Sequence, residues 1–143
     1  MVRFLMANPA KQATRPRPLS PHFQIYRWPV TMATSIVHRA TGLALAAGTI
    51  LVAWWLLAAA SGPAQYDLFS VVARSPFGQL VLFGFVWSLA FHLLNGIRHL
   101  FWDMGYGFEV HTASRSGVLV VTLSLFLAIG AFAYAWATKG AHL

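Results

Sequence analysis

Three stretches of the chain are almost free of charge, and each is near the ~20 apolar residues that a helix needs to cross a bilayer core. They cover about 31–60, 77–101 and 116–136. This pattern predicts an all-α integral membrane protein, with three transmembrane helices in an up-down bundle over 31–137. The segment SGPAQYDLFSVVARSP between the first two spans is bounded by Gly62, Pro63 and Pro76. DMGYGFEVHTASR, between the last two, is punctuated by Gly105 and Gly107. Both read as loops. Residues 1–30 form a basic arm without acidic residues, broken by Pro9, Pro16, Pro18, Pro21 and Pro29. Each proline confines the residue before it to extended backbone, so the arm reads as non-helical. It also lacks the apolar core of a secretory signal. Residues 138–143 form a short tail, and neither a repeat nor a second domain is visible.

Only 9% of the 143 residues are charged, against about 25% in soluble domains. The chain has no cysteine, so it cannot ligate an iron–sulfur cluster or form a disulfide. The net charge of +7 would suggest nucleic acid in a soluble protein. Here the basic residues flank apolar spans, and membrane orientation is the better account. Arg3, Lys11, Arg15, Arg17, Arg27 and Arg39 lie at or before the start of the first span, and Arg98 and Arg115 flank the second loop. Only Arg74 and Lys139 lie on the other side. The N-terminus is therefore expected to be cytoplasmic, in a bacterial inner membrane. Trp28 and Trp102 fall at one interface and Trp54, Trp55 and Trp136 at the other, while mid-span Trp87 reads as a packing or lipid-facing ring.

Candidate chemistry sits near the cytoplasmic end. At ~3.6 residues per turn, His92, Gly96, His99 and Asp103 share a face of the second helix. Gly96 leaves a flat slot one turn from His92. Ionisable groups at membrane depth usually face a bundle interior, a cavity or a cofactor. A neutral imidazole beside such a slot suits an axial ligand of haem iron; a histidine hydrogen-bonded to a neighbouring helix is an equally open reading. Ser35, His38, Arg39 and Gly42 share a face at the start of the first span. Together they offer cations for haem propionates and a hydroxyl donor for a quinone carbonyl. Taken singly, Arg39 and Arg98 read as snorkelling to lipid phosphates and Ser35 as a packing hydroxyl. Ala40, Ala44 and Gly48 read as a helix-packing stripe. His22, His111 and His142 read as solvated. Span boundaries place His38 about two turns nearer water than His92.

RPLSPHFQIYR, SIVHRATG and HLLNGIRHLFWD, in this order and spacing, closely resemble the cytochrome b556 family of succinate dehydrogenase, the large membrane anchors of respiratory complex II. The resemblance runs from about Arg17 to the end of the third span. It implies that His92 is one axial ligand of a single haem b, the other coming from a smaller anchor subunit. It implies that Ser35 and Arg39 help bind ubiquinone near an iron–sulfur subunit, with a flavoprotein subunit beyond. His38, Arg39 and His99 would lie near the haem propionates, and Asp103 matches a motif aspartate at that end. The chain alone would oxidise no succinate. Rival readings are an anchor of a quinol:fumarate reductase, a haem-free structural subunit, and a proton-coupled transporter using His92. The last is weakened by having three spans and no intramembrane carboxylate.

Overall fold

The computed structural model describes residues 25–140. Most of the proline-rich arm, with His22, and the end of the tail, with His142, lie outside the described residues. Four helices follow in order: α1 (Val30–Ser61), α2 (Pro63–Arg74), α3 (Pro76–Asp103) and α4 (Val110–Gly140). α1, α3 and α4 are long and apolar enough to cross a membrane, as the apolar runs predict.

The helix ends refine that reading. The segment expected as a loop between the first two spans is α2, a 12-residue helix. Gly62 adopts φ 106°, which a side chain would resist, and Pro63 opens the new helix where its missing N–H costs nothing. The Ser75 hydroxyl accepts from the Gly78 N–H at 3.0 Å and caps α3. The breaks were legible, but the twelve residues between them are enough for three turns. α4 begins at Val110 rather than 116, because His111, Thr112 and Ser114 build its first turns outside the apolar run. Hydropathy marks where a helix meets lipid, not where it starts. α3 ends in a glycine-dependent cap: Gly105 (φ 88°) donates to the Trp102 carbonyl and Tyr106 to that of Phe101, the Schellman arrangement.

The interior is built from small and polar residues. Buried positions are Thr34, Thr41, Gly48 and Ala58 on α1, and Ser88, Phe91, Asn95 and Arg98 on α3. On α4 they are Ala113, Gly117, Val120, Ser124 and Ala128. Large apolar residues such as Leu43, Ile50 and Phe126 are exposed around the outside. Hydrocarbon solvates those side chains as well as a protein core would, so helices meet where small residues let backbones approach and hydroxyls bond across. On α1 the seam advances seven residues at a time, through 34, 41 and 48. Ala40 and Ala44 are therefore exposed, and of the expected small-residue stripe only Gly48 packs, under the ring of Phe85.

Gly48→Leu should accordingly overpack the α1–α3 contact and cost about 1–3 kcal/mol. Ala44→Leu, on the exposed side, should stay within about 0.5 kcal/mol. Thermal unfolding in detergent compares the two directly.

Candidate functional site

The antiparallel crossing of α1 and α3 brings the two polar clusters together. Phe85 lies over Gly48, His92 against Gly42 and Thr41, and Arg98 beside Thr34. Each step of about two turns down one helix is matched by a step up the other.

His92 turns toward α1 rather than toward lipid. Its Nδ1 is 3.1 Å from the His38 carbonyl and 3.3 Å from Thr41 Oγ1. A carbonyl can only accept, so Nδ1 carries the proton and Nε2 keeps its lone pair. The Thr41 hydroxyl spends its own proton on the carbonyls of Val37 and His38, each at 2.9 Å. A β-carbon on Gly42 would stand 3.0 Å from His92 Cε1, so that glycine makes room for the imidazole. Gly96 itself has open space where its side chain would be. The His38 ring stacks on His92 at 3.9 Å and 11°, with His99 5.3 Å from His38. His38 Nδ1 is buried without a hydrogen-bond partner.

The stack corrects the expectation that His38 lies two turns nearer water. Span ends taken from hydropathy do not set the depth at which two helices meet; the register of small residues does. Among the described residues no group of three His, Asp or Glu side chains is disposed to hold a bare metal ion. What the cluster offers is one unprotonated imidazole nitrogen whose opposite nitrogen is tied to a carbonyl. That is how axial and metal-bound histidines are usually oriented, so His92 fits an axial ligand of haem iron.

Beside this cluster lies a cavity of about 330 Å³ lined by Thr31, Met32, Ser35, Arg98, His99 and Trp102. It joins the first turns of α1 to the last of α3. Ser35 and His99 thus line one cavity, as the two faces suggest. Arg39, one turn from Ser35, is exposed and does not line this cavity, and Asp103 is also exposed. The Trp102 indole N–H donates to the Gly107 carbonyl at 3.1 Å, which fixes the cavity wall, and His99 meets its ring edge-on at 5.0 Å.

Arg98 does not snorkel. It is 6% exposed, and its guanidinium joins all three spans. Nε donates to Ser116 at 2.9 Å, Nη2 to the Ala113 carbonyl at 2.8 Å, and Nη1 to Asn95 Oδ1 at 3.1 Å and Thr34 at 3.4 Å. Trp102 covers the guanidinium at 4.0 Å. The signal that would have placed it inside was the spacing Ser88, Phe91, Asn95, Arg98. That spacing traces a bundle-facing stripe one residue off the histidine face.

Fold and site define a polytopic helical membrane subunit whose polar groups are concentrated at one end of its bundle. The family model of the succinate dehydrogenase/fumarate reductase transmembrane subunit matches residues 13–131, and the chain belongs to that family. It is 47% identical over 113 residues to the succinate dehydrogenase cytochrome b556 subunit of Paracoccus denitrificans, covering 79% of this chain and 87% of the relative. With the mitochondrial cytochrome b560 subunit of Sus scrofa it shares 41% identity over 119 residues, covering 80% and 69%. With the cytochrome b556 subunit of Rickettsia typhi it shares 39% over 112 residues, covering 78% and 86%.

In the haem-free chain, ring-¹⁵N-labelled histidine should show His92 protonated at Nδ1 and bare at Nε2. Gly42→Val should displace the ring and shift both resonances. Protonation at Nε2 instead would place the lone pair on the wrong nitrogen.

Proposed function

We propose that this chain is the haem b-bearing membrane anchor of a succinate dehydrogenase in the inner membrane, and that it helps to form the site where ubiquinone is reduced. The observation that carries this reading is His92: its Nδ1–H is committed to the His38 carbonyl, which leaves Nε2 as a ligand nitrogen at membrane depth. The relatives' names, cytochrome b556 and b560, support a b-type haem. Bound haem would supply one-electron storage beside the quinone. His92 would hold one axial position, and a smaller anchor subunit would supply the other.

His38, whose Nδ1 lacks a partner, would meet the propionates together with Arg39 and His99. The Ser35 hydroxyl, in the cavity beside them, would donate to a quinone oxygen. Arg39 would add positive charge from the water side. An iron–sulfur subunit would dock over this end and deliver electrons that a flavoprotein subunit takes from succinate. The family description covers fumarate reductases as well, and an anchor working in that direction would use the same residues.

Membranes holding the complex should show a dithionite-reduced b-type absorption band that is lost in His92→Ala; survival of the band would overturn the ligand assignment. Ser35→Ala should slow quinone reduction roughly 10–100-fold while succinate oxidation by an artificial acceptor persists. Equal loss of both rates would mark failed assembly instead.

A further inference from the structure

The cavity beside Ser35 has a cation that the proposed roles leave unused. Every partner of Arg98 is neutral: two hydroxyls, an amide, a carbonyl and an indole face. Its charge is therefore oriented by the bundle but not cancelled. Of its five N–H groups, these bonds use four and leave one on Nη2. The network is also incomplete, since Asn95 Nδ2 is buried without a partner. A purely structural polar network gains only when all its members are satisfied, and apolar residues of similar size often do that job at lower cost. A charge kept at membrane depth is by default a functional one.

Arg98 lines the same cavity as Ser35 and His99, in surroundings where water screens little. Arg39 is exposed, where salt and water weaken its field. We propose that Arg98 is the fixed cation of the Ser35 cavity, favouring a headgroup whose oxygen carries negative charge; this rests on reading that cavity as the quinone site. The bundle sets the guanidinium in place before any ligand arrives, so stabilising charge on the headgroup oxygen requires no rearrangement.

The test uses the assembled complex in detergent and two competitors of matched shape, pentachlorophenolate and its neutral methyl ether. In the unaltered complex the anion should bind better. Arg98→Gln should lower kcat/KM for a short-chain ubiquinone at least tenfold and abolish the preference for the anion, and Arg98→Lys should restore most of both. Asn95→Asp covers the case in which the glutamine variant fails to assemble. It keeps the hydrogen bond to Nη1 but sets a carboxylate against the guanidinium, and it should cancel the anion preference while the haem band stays in place. If Ser35→Ala is impaired but the preference survives in Arg98→Gln or Asn95→Asp, this inference is overturned and the quinone assignment stands. If Ser35→Ala reduces quinone normally, the assignment beneath it falls. Equal weakening of both competitors, with lysine no better than glutamine, would reduce Arg98 to a packing residue.

Discussion

Helices surrounded by hydrocarbon gain little by hiding leucines from one another, so their meeting rests on backbone approach and on hydrogen bonds that lipid cannot supply. In this protein that constraint acts through Thr34, Thr41 and Gly48 of α1, which face Arg98, His92 and Phe85 of α3. The contact at Gly48 is apolar and fixes the distance between the helices. The contacts at Thr41 and Thr34 are polar and fix their register. Slide α3 by one residue and the phenylalanine leaves its glycine, the imidazole loses its carbonyl, and the guanidinium loses its hydroxyl. Packing and chemistry are therefore specified by the same few side chains.

The polar positions are not spread evenly along the bundle. Toward the Gly62 end, contacts are aromatic and aliphatic: Trp54 meets Phe69 edge-on at 5.0 Å and Phe83 meets Phe132 at 5.3 Å. A cavity of about 240 Å³ there is walled by Leu51, Val52, Trp55, Phe69, Leu82 and Phe85. Toward the opposite end stand three imidazoles, one buried guanidinium and the hydroxyls of Thr34, Ser35 and Ser116. Polar groups in a membrane are least costly where water or a soluble partner can reach them.

Much of this was legible in the sequence for a definite reason. Apolar runs long enough to span a bilayer have few alternatives to a helix, because lipid offers the backbone no partners. SIVHRATG and HLLNGIRHLFWD also place histidines at helical spacing. Three things were hidden. The depth of His38 relative to His92 depends on a register that only the meeting of small residues sets. Arg98 was hidden because an arginine near a span end looks the same whether it reaches for lipid or turns inward. Its direction is decided by Asn95 one turn back and by Ser116 and Ala113 on another helix, and none of these looks like site chemistry on its own. The helix α2 was hidden in a similar way, since turn-forming residues mark the ends of a segment and not what lies between them.

Arg39 and Arg98 show how burial divides labour between like charges on facing helices. The exposed guanidinium of Arg39 is open to water and salt, which screen its charge. The buried one, held by hydroxyl, amide and carbonyl and covered by Trp102, is fixed in place. Its bonds to Thr34 on α1 and to Ser116 and Ala113 on α4 make it the one side chain described here that ties α3 to both other spans at once. A change in that group must therefore be felt in the relative placement of Ser35 and His99 as well as in the field between them. Only a substitution that alters charge without altering shape can separate the two effects.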